Sequence, residues 1–270
     1  FATPVNADLT LVAQWNDSHS YETVEIRAED APNTTAATQQ VCSVCRKALD
    51  IVPTIIAAAQ VGSDYYVDVS KALSEADNAT VTMLKDAVFT DTCIVTGTVT
   101  LDMNGHMIRN TSVIWNQVAG KWSLISVRDN GDLRITGNGI LSTLVNDIYA
   151  VDVYDDTSGC TIESGTFIGN IHAVYVRDGE LTVNGGHFSV QQKYSQEQPN
   201  EFVLNCYDAN YNAGTAKITV TGGTFENFNP ANCEAEGEDT NFVANGYTVT
   251  TEKNGEDTWY TVVPLTAENS

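Results

Sequence analysis

Leu181-Thr182-Val183-Asn184-Gly185-Gly186-His187-Phe188 returns, lightly changed, as Ile218-Thr219-Val220-Thr221-Gly222-Gly223-Thr224-Phe225. Three older-looking versions precede it, at Leu101–Ile108, Leu133–Ile140 and Cys160–Phe167. Slot one is apolar (Leu101, Leu133, Cys160, Leu181, Ile218), as are slot three (Met103, Ile135, Ile162, Val183, Val220) and slot eight (Ile108, Ile140, Phe167, Phe188, Phe225). Slot five is Gly or Ser: Gly105, Gly137, Ser164, Gly185 and Gly222. Alternation in slots one to three is the two-residue period of a strand. The glycine after it opens backbone angles closed to other residues, so the chain can turn a corner. A strand and corner recurring at similar intervals predict stacked coils, each slot lying on the same slot of the next coil.

A second alternating strand precedes four of these motifs: Ile125 and Val127, Val151 and Val153, Val174 and Val176, Leu204 and Cys206. Each ends two residues before an aspartate (Asp129, Asp155, Asp178, Asp208). With at least two strands per coil, the expected fold is all-β, a parallel β-helix whose coils pair with those above and below. The interval from Cys160 to Leu181 sets the shortest coil, and Gln191 to Asn200 is expected to be a side loop.

Both ends of the solenoid need covers, because an open β edge invites association. Val69, Ala72, Leu73 and Ala76 share one face of a short helix with Asp68 as its N-cap. That helix is the expected N-terminal cap. Alternating runs Tyr247–Thr251 and Trp259–Val263 flank Asn254-Gly255, a hairpin signal, and predict a C-terminal cap. The expected organisation is residues 1–16, 17–62, 63–230 and 231–270. The last two are the β-helix and the C-terminal cap with its tail.

Three stretches resemble known modules. Thr3-Pro4 with Leu11 to Trp15 resembles the end of an internalin-type β-grasp repeat, which makes residues 1–16 a remnant of such a repeat. Residues 17–62, with His19, Cys42 and Cys45, resemble the Cys-x-x-Cys spacers found between bacterial surface repeats. Tyr65-Tyr66-Val67, Leu84-Lys85-Asp86, Leu101 to His106 and the Gly-Gly-Thr-Phe of Gly222–Phe225 (varied at Gly185–Phe188) resemble the pectin-lyase-like β-helix domains of bacterial surface proteins. This last resemblance covers about residues 63–230. Together they imply an adhesin-like segment of a longer, monomeric, extracellular or cell-surface chain; the start on Phe1 is read the same way. With the general rule for parallel crossovers, they imply a right-handed helix.

Composition agrees with an extracellular setting. The 270 residues carry a formal net charge of -22, with 13 Lys and Arg against 35 Asp and Glu. Such acidity argues against nucleic acid or an anionic membrane surface as a partner. No apolar run approaches the roughly 20 residues that span a bilayer, so membrane insertion is not expected. Cys160 and Cys206 occupy slots that aliphatic residues fill elsewhere and are read as free buried thiols, with Cys93 packing likewise. Cys233 is left open between a thiol and a paired cysteine.

The residues after the second strand, Arg128, Tyr154, Arg177 and Tyr207, are expected to stack in one column at about 4.8 Å spacing. Alternating Arg and Tyr permits cation–π contacts. The neighbouring column, Ser126, Asp152, Tyr175 and Asn205, adds hydroxyl, carboxylate and aromatic groups. The candidate binding residues are therefore Arg128, Tyr154, Tyr175, Arg177 and Tyr207, as a glycan face; a purely structural ladder is the simpler alternative. The aspartate column invites calcium, but an Asp at a strand end is also what an Asx-turn requires. For zinc, His19, Cys42 and Cys45 supply three of the four ligands that a structural site uses, and unmetallated thiols are the default. No cofactor is assigned.

The expected function is a non-catalytic binding or stalk module presenting a face to glycans or a host surface protein. The alternative is a polysaccharide lyase or glycoside hydrolase of the β-helix type. A hydrolase needs converging carboxylates, and Asp155-Asp156, the adjacent aspartate pair, falls in a predicted turn. Asn104-Gly105-His106 places its glycine in the corner slot. No catalytic residue is assigned.

Overall fold

The computed structural model describes residues 19–26, 34–192 and 201–268. The expected β-grasp remnant lies outside the described residues, as does most of the expected side loop. The chain is all-β in class, dominated by strands, with two short helices among the described residues. It divides into two compact units, Phe1–Ile55 and Ile56–Ser270.

The first unit carries a three-stranded sheet of Tyr21–Ile26, Thr34–Cys42 and Ala48–Ile56. Tyr21–Ile26 and Thr34–Cys42 run antiparallel, pairing Tyr21 with Cys42 and Ile26 with Ala37. Among the side chains described here, only Ala37 and Cys42 are buried apolar groups.

The second unit is built from three sheets, and each takes one strand from every sequence repeat. In the first sheet Ala79–Met83, Thr98–Asp102, Asp132–Thr136, Gly159–Ile162, Gly179–Val183 and Ala216–Val220 pair parallel in sequence order. In the second, Ala87–Phe89, Met107–Asn110, Ile140–Ser142, Thr166–Gly169, His187–Val190 and Thr224–Glu226 do the same. The third holds Cys93–Val95, Ser123–Val127, Tyr149–Val153, Val174–Val176 and Leu204–Cys206, again parallel. Antiparallel pairs close the first two sheets, so these are mixed. Ala59–Val61 pairs antiparallel with Asp64–Tyr66 and with Ala79–Met83. At the other end Asp257–Pro264 pairs antiparallel with Thr224–Glu226 and with Tyr247–Asn254, with Gly255 at positive φ in the turn.

The inward residues of all three sheets meet in one hydrophobic core. Phe167, Phe188 and Phe225 stack face to face there, with centroids 5.0 Å apart at each step and planes within 11° and 12° of parallel. Identical side chains stack because the parallel register repeats the same slot on each rung. Leu101, Leu133, Cys160, Leu181 and Ile218 all belong to this core, but Leu101 is not in the column expected for it. Val99 lies on Leu133, and Leu101 lies on Ile135. Ile108 likewise lies on Leu141, not on Ile140. The reason is the corner. Four residues separate Ile162 from Phe167, Val183 from Phe188 and Val220 from Phe225, but five separate Ile135 from Leu141 and six separate Leu101 from Ile108. Aligning the glycines therefore shifts the earliest strands out of register.

The glycines also divide the work differently from the expectation. Gly105 and Gly137 do hold positive φ, but in the later corners the positive-φ residue is the next one: Gly165, Gly186 and Gly223. Gly185 and Gly222 are needed for close approach instead, since a Cβ there would run into the carbonyl oxygens of Glu163 and Asn184 on the rung before.

Helix α1 (Val69–Glu75) starts where expected. Asp68 Oδ1 accepts hydrogen bonds from the backbone N–H of Ser70 at 2.8 Å and of Lys71 at 3.4 Å, satisfying donors that a helix start otherwise leaves free. Val69, Ala72 and Leu73 are buried, and the Cys93 thiol donates to the Ser70 carbonyl at 3.4 Å. Helix α2 (Asp208–Ala213) was not expected. Its sequence lacks an apolar stripe and buries no residue; its signal is Gly214, whose left-handed conformation (φ 78°) closes the helix with bonds to Asn210 and Tyr211.

Candidate functional site

The outer side of the third sheet is where side-chain chemistry concentrates. Val127 pairs with Val153, Val153 with Val176 and Val176 with Cys206, so Arg128, Tyr154, Arg177 and Tyr207 follow on successive rungs. The backbone N–H of each donates to the rung before it: Arg128 to Val95, Tyr154 to Val127, Arg177 to Val153 and Tyr207 to Val176. Tyr154 lies between two cations. Arg128 Cζ is 3.9 Å and Arg177 Cζ 4.4 Å from its ring centre, and Arg177 also lies 5.9 Å from the Trp122 ring.

Sequence reasoning missed the ring cluster beside this column. Trp115 and Trp122 come from the segment between Asn110 and Ser123, pinned by mutual backbone bonds between Asn116 and Lys121. Tyr149 packs 5.0 Å from Tyr175, 5.1 Å from His172 and, edge-on, 5.9 Å from Trp115. Trp122 reaches Tyr154 at 5.4 Å. The available signal was position, since Trp122 and Tyr149 immediately border the apolar runs of two third-sheet strands. Trp115, Gln117, Trp122, Tyr149, Tyr175, Arg177 and Tyr207 line a half-open pocket of about 210 Å³. Three of the five candidate binding residues, Tyr175, Arg177 and Tyr207, thus line the pocket, while Tyr154 and Arg128 stack beside it. Gly120 lets the covering segment come close: it holds positive φ, and a Cβ there would press on the Tyr154 ring.

The neighbouring column does not form an open face as expected. Ser126 and Asp152 are fully buried, because the ring cluster and Arg128 roof them over. Asp152 accepts hydrogen bonds from Ser123 Oγ and from Ser126 Oγ (2.8 Å). Arg128 Nε donates to Ser126 Oγ at 2.6 Å, and its Nη2 to the Gly120 carbonyl. Burial pushes the Asp152 carboxyl up to about 6; the two serines and the charges of Arg128 and Arg177 oppose that rise. The Asp152 carboxylate is therefore structural here and is not offered to a ligand. No protein-family model, curated protein or solved structure matches this chain.

The aspartate column makes turns. Asp155 accepts from the backbone N–H of Asp129 (2.7 Å) and Thr157 (3.2 Å) and from the hydroxyls of Thr157 (2.6 Å) and Ser158 (2.8 Å). These donors occupy the oxygens that calcium would use. Asp129 sits at positive φ, Asp178 accepts from Gly179 N–H, and Asp208 opens α2.

His172 is buried beneath Tyr149 and Tyr175. Its Nδ1 lies 2.6 Å from the Phe202 carbonyl and its Nε2 3.2 Å from Asn205 Nδ2. Burial lowers the imidazole to about 4, against the backbone hydrogen bonds of Phe202 and Ile171. Glu236 accepts from Cys206 N–H at 2.6 Å, and burial raises its carboxyl to about 7.

None of the six cysteines is joined in a disulfide. Cys160 and Cys206 are buried in their strand slots, Cys93 lies under α1, and Cys233 is buried with its Sγ 3.7 Å from the Thr240 carbonyl. In the first unit His19, Cys42 and Cys45 come together, with Cys45 Sγ 3.3 Å from His19 Nδ1. Backbone N–H groups of Cys45 and Val44 directed at Cys42 lower its thiol to about 6.

Proposed function

We propose that this chain is a non-catalytic, surface-displayed module that binds neutral carbohydrate in the ring-lined pocket on the third sheet. The pocket carries the proposal. Its lining is aromatic, from Trp115, Trp122, Tyr149, Tyr175 and Tyr207, which suits the C–H face of a sugar, and Gln117 and Arg177 supply polar groups for its hydroxyls. The net charge of -22 favours a neutral glycan over a polyanionic one. The sealed position of Asp152 supports binding over hydrolysis, because hydrolysis wants carboxylates beside the scissile bond.

In the same reading residues 63–230 form a right-handed parallel β-helix of the pectin-lyase-like kind, in an adhesin-like bacterial protein outside the cell. Its support is that all three sheets gain one parallel strand per repeat, and that parallel crossovers are right-handed in nearly every case. Helix α1 and the C-terminal hairpin serve as its covers. Among the described residues, no helix is long and apolar enough to cross a membrane.

The test is a glycan array probed with the full chain and with Tyr207→Ala and Trp115→Ala. At least one neutral glycan is expected to bind, with its signal reduced at least tenfold by either substitution. Binding that ignores both substitutions, or no binding at all, defeats the proposal. Release of new reducing or unsaturated ends from a bound polysaccharide establishes the enzymatic alternative instead.

A further inference from the structure

We infer that His19, Cys42 and Cys45 hold a zinc ion, which staples the small sheet of the first unit. Their ligand atoms all lie within 4.8 Å of one another. Bonds of roughly 2.0–2.3 Å place the corners of a zinc tetrahedron roughly 3.3–3.8 Å apart, so small side-chain rotations bring the trio into position. The 3.3 Å between Cys45 Sγ and His19 Nδ1 already has that length. Two soft thiolates and one imidazole select zinc over the hard cations calcium and magnesium.

The backbone shapes the turn for this role. Cys42 N–H donates to the Lys47 carbonyl at 2.8 Å, and Arg46 N–H returns to the Cys42 carbonyl at 3.0 Å. Arg46 takes the left-handed conformation (φ 61°) that folds the chain back after Cys45. Ser43 binds the Ser20 carbonyl through both its N–H (3.0 Å) and its Oγ (3.2 Å), which fixes the His19 end against the Cys-x-x-Cys turn. Arg46 Nη1 pairs with Glu22 at 3.0 Å across the same two strands.

There is also a need for such a staple. Among the described side chains of this unit only Ala37 and Cys42 are buried apolar groups, so the described part of its sheet supplies little core. Small units of this kind gain folding free energy from a metal. The fourth position of the tetrahedron goes to a donor outside this trio. The inference is independent of the carbohydrate reading, since it concerns the other unit.

The full chain, reduced and stripped with a chelator, is titrated with cobalt(II) and then with zinc(II). One equivalent of cobalt is expected, with thiolate-to-cobalt charge-transfer bands and tetrahedral d–d bands that one equivalent of zinc abolishes. Cys45→Ser, at an exposed position, removes about half of the charge-transfer intensity, since Cys42 remains as a thiolate ligand. His19→Ala weakens cobalt binding at least ~10-fold, the lower bound even for residues that only support a ligand. In the unsubstituted chain, bound zinc slows alkylation of Cys42 and Cys45, and a denaturant that unfolds the chain removes the protection. Absence of a stoichiometric charge-transfer band, its persistence at full intensity in Cys45→Ser, or a Cys42–Cys45 disulfide that forms with zinc present overturns the inference.

Discussion

The guanidinium of Arg128 lies 3.9 Å from the centre of the Tyr154 ring, one rung along the third sheet, while Arg177 approaches the same ring at 4.4 Å. Neither contact is accidental, since the parallel register places the three residues in line. A partly exposed cation–π contact is worth about 0.5–1 kcal/mol. A double-mutant cycle with Arg128→Met and Tyr154→Leu, read by urea unfolding, is expected to give a coupling of about that size. Tyr154→Leu alone, which loses both cations, is expected to cost about 1–2 kcal/mol.

Stability against pH is expected to contain opposing contributions, from Asp152 and Glu236 on one side and from His172 on the other. The Asp152 carboxyl, raised from 3.8 to about 6, binds its proton more tightly in the folded state. Its contribution is fully present below pH 3.8 and is lost as pH rises through about 6, on the order of 2–3 kcal/mol. The His172 imidazole, lowered from 6.5 to about 4, behaves oppositely: its contribution is present above pH 6.5 and is lost as pH falls through about 4. Glu236, raised from 4.5 to about 7, acts in the same direction as Asp152, so stability of the unsubstituted chain is expected to fall with pH between 4.5 and 6. Asp152→Asn is therefore expected to flatten that fall, and His172→Gln to steepen it. Thermal melts in a series of buffers at constant ionic strength check both signs.

The stacked phenylalanines make the core intolerant of a hole. Phe188 has a ring on each side, at 5.0 Å, so neither neighbour can move in without breaking its own stack. Phe188→Ala is expected to cost about 3–5 kcal/mol, and Phe188→Leu less than half of that. Chemical denaturation distinguishes the two.

Two glycines separate crowding from backbone strain. A Cβ at Gly169 would overlap the backbone carbonyl of His172, whereas one at Gly214 meets nothing within 4 Å and suffers only from the positive φ of 78°. Gly214→Ala is expected to cost about 1 kcal/mol. Gly169→Ala is expected to cost more than twice as much, because two backbone segments must separate.

The paired strands were legible in the sequence because one slot, one side-chain class and one burial state coincide on the later repeats. Val151, Val174 and Leu204 stack as their alternation predicts, as do Leu133, Cys160, Leu181 and Ile218. Leu101 and Ile140 fell out of register because the corners of the first two coils are longer, and glycine position tracks the corner, not the strand. The ring cluster was harder to foresee. Trp115 and Trp122 lie in a covering segment with no period of its own, and what places them over Tyr149 and Tyr175 is tertiary. The burial of Ser126 and Asp152 follows from that cover, so it too was hidden from a strand-by-strand reading.

Arg128, Tyr154, Arg177 and Tyr207 share one column only if successive coils stack in the register described, and a cross-link measures that directly. Thr161 and Thr182 are paired neighbours on adjacent rungs of the first sheet, and Thr219 pairs with Thr182 one rung further. Adjacent parallel strands are about 4.8 Å apart, within the reach of a disulfide, while two rungs span roughly 9.6 Å and exceed it. Peptide mapping of the oxidised full chain is predicted to find the bridge in Thr161→Cys/Thr182→Cys and none in Thr161→Cys/Thr219→Cys. A bridge in the second pair, without one in the first, would contradict the stacking and the binding face with it.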